Sequence, residues 1–428
     1  MTVINQTIAK PRLLKINNYF YRRGGAEAVF LDHIAMFEQA GWDVVPFAMQ
    51  HELNPPSPWS DYFVSEIEYG HETGTLNKIK QVAKIIYSFE AQRNLKRLIE
   101  RVNPTIAHAH NVYHHLSPAI FSTLKSAGIP TVMTVHDLKL ACPSYKMLRD
   151  AKVCEECKGG HIHNVLVHRC IKGSTVLSAV VLAETALHRS LGLYRNNLDR
   201  LVVPSRFYID KLAEWGWPRE KMVYIPNFVE VHAFDTGWTE GDYFAFAGRL
   251  APEKGIDTLI RAATLAKQKL VIAGTGPEEA ALKELAQTLG ADVVFAGYLS
   301  GKALHRLIGE AKALVLPSEW YENAPISVLE AYALETPVIG ARIGGIPEMI
   351  LEGETGLMAA PGDTQGLAAA LAAMNALSPQ ARRDMGSKAR EWISVEFSSS
   401  AYLRRTTELY SSLGTSLPVS TQQLTQSN

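Results

Sequence analysis

Two carboxylates, Glu322 and Glu330, lie eight positions apart across a predicted helix start. An apolar strand over 313–316 ends at Pro317, and the turn over 323–325 leads into the helix. A helix start presents free backbone N–H groups and the positive end of a dipole, which suits a phosphate. Carboxylates on either side of that point accept hydrogen bonds from sugar hydroxyls. The sequence therefore predicts a site for a phosphorylated sugar.

Two cations share a second loop. Arg249 and Lys254 follow an apolar strand over 243–247, between Gly248 and Gly255. Ligands of open parallel sheets bind at the carboxyl ends of the strands. One Arg or Lys in a loop is ordinarily only solvated, but two fixed cations there can stabilise charge on a departing diphosphate. The pair therefore favours a functional loop.

Glycine-rich turns follow two other strands. Gly24 and Gly25 precede a helix predicted over 28–40, where a backbone without side chains can approach a phosphate closely. A plain turn is the alternative. The run over 274–277 half resembles a dinucleotide fingerprint, but Glu279 replaces the third glycine. This departure argues against a nicotinamide site.

Two further strand ends carry side chains of interest. His136 ends a strand predicted over 131–136 and would face a crevice, where it could bond a sugar hydroxyl and change charge near pH 7. A structural histidine held by Asp137 is the alternative. Tyr298 and Leu299 follow another strand and could meet a nucleobase through backbone groups, or Tyr298 could simply pack.

The cysteines are clustered. All four lie within 29 residues and include one CxxC pair, and the set is Cys142, Cys154, Cys157 and Cys170. In a cytosolic chain this spacing favours a tetrahedral zinc site over disulfides. Unpaired buried thiols, a redox pair and an iron–sulfur cluster remain alternatives. The expected role is to hold an inserted loop rather than to do chemistry.

The elements that position these residues alternate between short apolar strands and longer helices. The 428 residues suit two domains, and the composition, 47% hydrophobic and 20% charged, is that of a globular enzyme. Val-, Ile- and Leu-rich runs indicate parallel strands buried on both faces. The predicted strands cover 13–17, 106–110, 131–136, 201–204, 222–226, 243–247, 270–273, 293–296, 313–316 and 337–341.

Charge and hydropathy limit the kinds of partner that the chain can have. Residues 1–228 hold 27 Lys+Arg against 20 Asp+Glu, and the remainder holds 16 against 23. This basic bias fits an anionic acceptor or a membrane surface, or only an ordinary solvated surface. No run approaches the roughly 20 apolar residues needed to span a bilayer, and no signal-peptide stretch opens the chain. We expect a cytoplasmic protein, with any contact to the inner membrane surface peripheral, and no nucleic-acid partner.

Taken together, these motifs resemble the retaining family 4 glycosyltransferases. The resemblance runs from about Leu13 to Leu413 and is most specific at Glu322-x7-Glu330. The glycine turns, the Arg249–Lys254 loop and the run over 344–348 occur in the expected order. One departure is Glu335, which occupies a position where these enzymes usually have glycine.

The resemblance implies the GT-B fold, an α/β fold of two Rossmann-like domains with parallel sheets facing a central cleft. We place an N-terminal acceptor-side domain at 1–228, with a Cys-rich insertion at 142–170, and a donor-binding domain at 229–395. The linker lies around 227–241. A helix over 396–412 would return to the first domain, and 413–428 would be a disordered tail.

The resemblance also assigns roles. Arg249 and Lys254 would bind the donor diphosphate, Glu322 the donor sugar, and Glu330 the ribose hydroxyls. With His136 near the donor sugar, the catalytic set is His136, Arg249, Lys254 and Glu322. The implied donor-binding residues are Gly24, Gly25, Gly248, Gly276, Tyr298, Leu299, Asn323, Ala324, Pro325, Ile326, Ser327, Val328, Leu329 and Glu330. No cofactor is expected for catalysis.

The implied reaction moves a sugar from a UDP- or GDP-linked donor to a hydroxyl of a glycan or lipid-linked acceptor. The alternatives are a nucleotide-sugar epimerase or phosphorylase on the same fold, an NAD-dependent oxidoreductase, and a non-catalytic scaffold that binds sugar nucleotides or a metal.

Overall fold

A six-stranded parallel sheet organises the first half of this computed structural model, which describes residues 10–66 and 84–418. Its strand order is β2-β1-β3-β4-β7-β8. The strands in this half are β1 (Arg12–Ile16), β2 (Asp43–Phe47), β3 (Ile106–Ala109), β4 (Thr131–Thr134), the short antiparallel pair β5 (Leu148–Arg149) and β6 (Lys152–Val153), β7 (Arg200–Val203) and β8 (Met222–Tyr224). The helices are α1 (Gly25–Gln39), α2 (Phe89–Val102), α3 (Ala119–Ser126), α4 (Asn164–Val167), α5 (Thr175–Ser190) and α6 (Arg206–Glu214).

A second parallel sheet of six strands organises the other half, in the order β11-β10-β9-β12-β13-β14. Its strands are β9 (Tyr243–Ala247), β10 (Lys269–Ala273), β11 (Val293–Gly297), β12 (Leu314–Leu316), β13 (Val338–Ala341) and β14 (Gly356–Ala359). The helices that follow are α7 (Ile256–Leu265), α8 (Glu279–Leu289), α9 (Gly301–Gly309), α10 (Ile326–Ala333), α11 (Thr364–Ala376), α12 (Pro379–Glu396) and α13 (Ser399–Ser412). The prediction of an α/β chain with two parallel sheets is confirmed.

Strand burial explains why the apolar runs lack alternation. Leu13 and Leu14 point to opposite faces of the first sheet, and both are fully buried. Leu314 and Val315 show the same pattern in the second sheet. Each pair is divided between two hydrophobic clusters, one on each face of its sheet. Helices therefore cover both faces, as is usual for parallel sheets.

The sequence prediction left out two strands at sheet edges, and both have a local reason. β2 contains Pro46, which lowers its apparent strand propensity but is tolerated at an edge. β14 is four residues long and opens on Gly356. The β5–β6 pair also lay outside the prediction, because two-residue strands carry no readable pattern.

The final helix packs against the first half of the chain. Tyr402 and Tyr410 of α13 lie in one buried cluster with Phe37 of α1. Leu413 and Leu417 pack on the same cluster, so the expectation of disorder does not hold for residues 413–418. Residues 419–428 of that predicted tail lie outside the described residues.

Two segments between the halves run side by side. The Val229 N–H donates to the Phe397 carbonyl at 2.9 Å, and Val229 forms a parallel bridge with Ser398. The domain boundaries near 228 and 396 remain predictions. In the part of the chain that the structure describes, we find no helix with the length and apolar character needed to cross a membrane.

Candidate functional site

The candidate site lies where the strand order of the second sheet reverses. β9 and β12 are neighbours in space but not in sequence, and the connections leave them in opposite directions. This arrangement opens a crevice at the carboxyl ends of the two strands. The loop after β9 carries Arg249 and Lys254, and the loop after β12 carries Glu322. The topology therefore brings these three predicted residues to one edge of the sheet.

Lys254 and Glu322 form a direct ion pair across these two loops. The Lys254 Nζ donates to Glu322 Oε1 at 2.6 Å, and the same oxygen accepts a 2.7 Å bond from the Ser318 hydroxyl. The ammonium also lies 5.2 Å from the centroid of the Trp320 ring. Glu322 is buried, whereas the Lys254 side chain keeps 22% of its exposure. The cation is thus held in place with part of its surface open.

Arg249 is oriented by a buried carboxylate. Its guanidinium bonds to Glu253, which also accepts a 3.0 Å bond from Lys146 of the first half of the chain. Burial would raise the pKa of the Glu253 carboxyl, but Lys146 and Arg249 hold it below its ordinary value. Arg249 keeps 55% of its side-chain exposure. It is therefore anchored at one end and available at the other.

The run over 344–348 supports Glu322 through its backbone. Gly344 has φ +62, and a Cβ there would lie 2.4 Å from the Glu322 carbonyl oxygen. The next residue, Gly345, donates its N–H to that same oxygen at 2.8 Å. Glycine is required here because the two loops approach too closely for a side chain.

The glycine-rich run after β10 supports the Arg249 loop in the same way. A Cβ on Gly276 would lie 2.1 Å from the Leu250 carbonyl oxygen, and one on Gly274 would lie 1.8 Å from that of Gly248. The Leu250 N–H donates to the Thr275 carbonyl at 2.9 Å. Gly276 thus has a structural reason to be glycine, independent of its predicted contact with the donor.

The start of α10 faces the glycine turn of the first half of the chain. Pro325 is the N-cap residue, no side chain caps the helix, and a Cβ on Gly25 would lie 3.5 Å from Ile326 Cδ1. The first-turn N–H groups of Ile326 and Ser327 have no intrahelical acceptor and suit an anion. The Val328 N–H, by contrast, bonds to the Pro325 carbonyl at 3.1 Å. The Val328 N–H is therefore not among the groups that are open to a phosphate.

Other members of the predicted donor set have structural partners. Asn323 joins the two halves of the chain, because its amide donates to the Val135 carbonyl at 2.9 Å and accepts from Ser205 at 2.8 Å. The Ala324 carbonyl accepts a 2.9 Å bond from Asn227. Val328 and Leu329, also of this set, have side chains buried in a hydrophobic cluster of the second half of the chain.

Glu330 has an unusual environment. It lies on α10 near α1 of the first half of the chain. Burial, followed by the nearby Asp32 carboxylate, raises the pKa of Glu330 to about 7. A carboxyl group so placed gains from a ligand whose hydroxyls donate to its ionised form.

His136 is bonded to a histidine rather than to an acid. Its Nε2 lies 2.8 Å from Nδ1 of His110, whose Nε2 lies 2.6 Å from the buried Lys15 Nζ. Burial first, and then Lys15, lower the pKa of His136 to about 3. The expectation that His136 changes charge near pH 7 is therefore wrong, because burial keeps the ring neutral. Asp137 instead accepts from the Lys139 N–H at 2.9 Å.

The predicted base contacts lie at the edge of the second sheet. Tyr298 and Leu299 follow β11, which is two strands away from β9. Tyr298 is 73% exposed, and Leu299 packs against the same hydrophobic cluster as Val328 and Leu329. An exposed ring at the carboxyl end of a strand is open to a ligand, and its role remains a prediction.

Comparison with known proteins identifies the family of the chain. The family models described as "Glycosyltransferase Family 4" and "Glycosyl transferases group 1" match residues 23–233 and 229–392. The chain belongs to the family 4 glycosyltransferases. Alpha-maltose-1-phosphate synthase of Mycolicibacterium smegmatis is 29% identical over 72% of this chain and 78% of its own.

Solved glycosyltransferases have the same fold. Sucrose-phosphate synthase from Thermosynechococcus elongatus superposes with a TM-score of 0.68 at 20% identity, over 95% of this chain and 99% of the other. Anabaena HepE in complex with UDP-glucose superposes with a TM-score of 0.64 at 16% identity, over 94% and 99%. These likenesses confirm the GT-B fold.

Several other curated relatives match over a shorter region. A glycosyltransferase of Methanocaldococcus jannaschii is 34% identical over 35% of this chain, and the match spans 44% of its length. The chain thus spans less than half the length of several of the relatives it matches, although it spans most of the maltose-1-phosphate synthase.

Several residues that bond to the candidate site were not predicted from the sequence. Lys15, His110 and Lys146 come from the first half of the chain, and each bonds to a predicted site residue or its partner. The His108-x-His110 spacing at the end of β3 was a readable signal. Glu348 was a motif residue without a role, and its carboxylate accepts from the Arg206 and Phe207 N–H groups at the start of α6, at 2.8 and 2.6 Å. It therefore joins the two halves.

Among the described residues, one cluster of histidines and one of cysteines have metal-ligating chemistry. The ligand atoms of His33, His108 and His110 lie within 4.8 Å of one another. However, both ring nitrogens of His108 are engaged by Tyr410 and Thr134, and both nitrogens of His110 are engaged as described above. That cluster is poorly prepared for a metal. The other cluster is the set of four cysteines, all of which are free thiols in the structure.

Proposed function

We propose that the chain transfers a sugar from a nucleotide-diphosphate sugar to a hydroxyl of a glycan or lipid-linked acceptor, with retention at the anomeric carbon. The observation that carries the proposal is the convergence of Arg249, Lys254 and Glu322 at the strand-order reversal of the second sheet. Gly25 lies near Ile326 at the start of α10, and we expect both to line the other side of this space.

The diphosphate would lie between the two cations and the first turn of α10. Lys254 and Arg249 are each held by a buried carboxylate, which fixes their position before the donor arrives. Fixed charges of this kind stabilise a developing anion without reorganising. The N–H groups of Ile326 and Ser327 would add hydrogen bonds to the same phosphate oxygens.

The sugars would be bound by carboxylates and a neutral imidazole. Glu322 would accept from hydroxyls of the transferred sugar, and Glu330 from the ribose. His136 stays neutral at pH 7 and can therefore accept as well as donate a hydrogen bond. These groups orient the donor. None of them is required as a covalent nucleophile.

The proposed chemistry is a same-face substitution. The bond from the anomeric carbon to the diphosphate oxygen breaks first and leaves an oxocarbenium-like centre. The acceptor hydroxyl forms the new bond on the same face, and its proton passes to the departing phosphate oxygen. Arg249 and Lys254 stabilise the negative charge that grows on the diphosphate.

Relatives guide the choice of donor and acceptor. HepE was solved with UDP-glucose, and a Corynebacterium relative is named a GDP-mannose-dependent mannosyltransferase. UDP- and GDP-sugars are therefore the donors to test first. The excess of basic residues in the first half of the chain suits an anionic acceptor, such as a lipid-phosphate-linked glycan presented at a membrane surface. Synthesis of a cell-surface polysaccharide or glycoconjugate would use such an acceptor.

The test is a transfer assay with the full chain. Arg249→Ala and Lys254→Ala should each lose most of the activity while the far-UV circular dichroism stays unchanged. Lys283→Ala is the matched control, because the half-exposed Lys283 forms an ion pair with Glu279 at 2.7 Å within one helix and is not among the predicted site residues. Near-normal turnover in both cleft variants would refute the proposal.

The same assay separates the proposal from an epimerase. Donor incubated without acceptor should stay unchanged in its sugar configuration, apart from slow hydrolysis. Conversion of the donor to its epimer without acceptor would instead favour the epimerase. Nuclear magnetic resonance of the product shows directly whether the anomeric configuration is retained.

A further inference from the structure

Four cysteine side chains converge on one small cavity in the first half of the chain. Cys142, Cys154, Cys157 and Cys170 line it together with His168. The volume open to the centre of a water-sized sphere is about 10 Å³, which is room for roughly one water molecule or one ion. Although they are separated by up to 28 positions in sequence, the four cysteine side chains thus line the same cavity.

The segment that carries these cysteines has little regular structure to stabilise it. Between residues 142 and 170 the regular elements are the two-residue strands β5 and β6, a short 3-10 turn, and the four-residue helix α4. Five of its non-glycine residues have positive φ, which is costly for L-residues; they are Tyr145, Met147, Asp150, Ala151 and Arg169. Such a segment needs a cross-link to hold one conformation.

The charge around the cavity suits a site of several thiolates. Arg189 on α5 donates to the Ala141 carbonyl at 2.8 Å and interacts electrostatically with Cys142 and Cys157. Arg149 on β5 interacts in the same way with Cys170. Zn²⁺ with four thiolates carries two net negative charges. Arg189 and Arg149 would offset part of this charge, although Arg149 also pairs with Glu156 of the cavity lining at 2.5 Å.

We propose that the four thiolates bind one structural Zn²⁺ ion in tetrahedral geometry. The four thiol protons leave to bulk water as the metal binds, and no oxidant or reductant takes part. The small cavity favours a single ion over an iron–sulfur cluster, whose iron and sulfide atoms need far more space. His168 is engaged by Glu156 at 2.5 Å, which leaves the thiols as the ligands.

The metal would also fix contacts between this segment and the second half of the chain. Lys146 bonds to Glu253, the partner of Arg249, at 3.0 Å. Glu155, between two of the ligands, accepts a 2.9 Å bond from the Tyr321 hydroxyl, which adjoins Glu322 in sequence. This coupling to the donor site rests on the proposed function, whereas the metal site itself does not.

Metal content of the full chain, purified anaerobically, tests the site. Inductively coupled plasma mass spectrometry should find about one equivalent of zinc per chain, and the Cys154→Ser/Cys157→Ser variant should hold less than about a tenth. The control His161→Gln/His163→Gln alters two exposed histidines of the same segment and should keep its zinc. Less than about a tenth of an equivalent in the wild type, iron and sulfide in place of zinc, or equal loss in the control would overturn the site.

X-ray absorption at the zinc edge covers the case in which the cysteine variant does not fold. The wild type should show four sulfur ligands at about 2.3 Å, and nitrogen or oxygen ligands would contradict a four-thiolate site.

The coupling has a separate test. Lys146→Met should raise the donor KM severalfold with zinc content unchanged, and Lys152→Met, on the exposed β6 strand, should not. An unchanged KM in Lys146→Met would overturn the coupling. A chain without transfer activity would fail the proposed function while leaving the zinc measurements valid.

Discussion

Lys254 and Glu322 meet at 2.6 Å although 68 residues separate them in the sequence. The pair joins the loops after β9 and β12, the two strands at which the order of the second sheet reverses. Each residue therefore holds the other at the place where a donor would bind. In the proposed function, the cation would contact the diphosphate and the carboxylate would contact the sugar.

Replacing Glu322 by Gln should lower kcat/KM by about 10²- to 10³-fold, the usual cost of losing one fixed group that stabilises a transition state. The substitution also removes the charge that orients Lys254. Steady-state kinetics with varied donor measures the loss. Glu279→Gln makes the same change in the ion pair between Glu279 and Lys283, and its kcat/KM should be close to that of the wild type. Equal kinetics in the two variants would contradict the role of Glu322.

Donor binding should become tighter as pH rises through 7. The Glu330 carboxyl has a pKa of about 7 because burial disfavours its charged form, and ribose hydroxyls bond best to the ionised form. Below pH 7 the donor must displace a proton, so its apparent KM should fall between pH 6 and pH 8. Glu330→Gln has no proton to lose at this position, so its donor KM should be higher than that of the wild type and nearly independent of pH. A variant that keeps the wild-type pH slope would show that another group is responsible.

Stability should fall as the pH drops below about 6.5, the ordinary pKa of histidine. Burial lowers the pKa of His33, His108 and His110 well below that value in the folded state. The unfolded state then binds more protons, so each such histidine costs up to about 1.4 kcal/mol per pH unit. Urea denaturation at pH 7.0 and 5.5 measures the change.

His33 offers the matched variant for that measurement. It is fully buried, and neither ring nitrogen has a hydrogen-bond partner among the described residues. His33→Leu should stabilise the protein by about 1–2 kcal/mol at pH 7, because a buried polar group without partners is removed. It should also reduce the dependence of the unfolding free energy on pH by the contribution of one histidine, up to about 1.4 kcal/mol per pH unit. An unchanged slope would mean that His33 binds protons equally in the folded and unfolded states, so that burial does not lower its pKa.

Glu335→Gly should stabilise the chain. Glu335 has φ +60, a conformation that costs a residue with a side chain about 1–2 kcal/mol. Glycine removes this cost but has more freedom in the unfolded state, so the expected net gain is about 0.5–1 kcal/mol. Thermal unfolding would show it as a higher melting temperature with unchanged kinetics. A lower melting temperature would mean that the Glu335 side chain has a stabilising contact.

Much of the fold could be predicted because buried parallel strands leave continuous apolar runs in the sequence. β9 and β12 follow this rule. β2 could not be read because Pro46 interrupts its pattern at an edge. Edge strands and two-residue strands contribute too little local signal.

Some residues of the candidate site could likewise be predicted from the sequence, and others could not. Arg249, Lys254 and Glu322 were predictable because each follows a strand whose carboxyl end forms the crevice. Lys15 was not, because a lysine inside a strand reveals nothing until the register places it beside His108 on the neighbouring strand. The neutral state of His136 likewise depends on burial and on Lys15, which only the folded chain brings together.

Donor binding by calorimetry is the most direct test of the central claim that Arg249 and Lys254 bind the donor diphosphate. We expect one of the UDP- or GDP-sugars to bind the wild type and Lys283→Ala equally well. Lys254→Ala should weaken that binding at least about tenfold, which is the loss of roughly 1.4 kcal/mol. Equal affinity in wild type and Lys254→Ala, or no binding of any nucleotide sugar, would contradict the account.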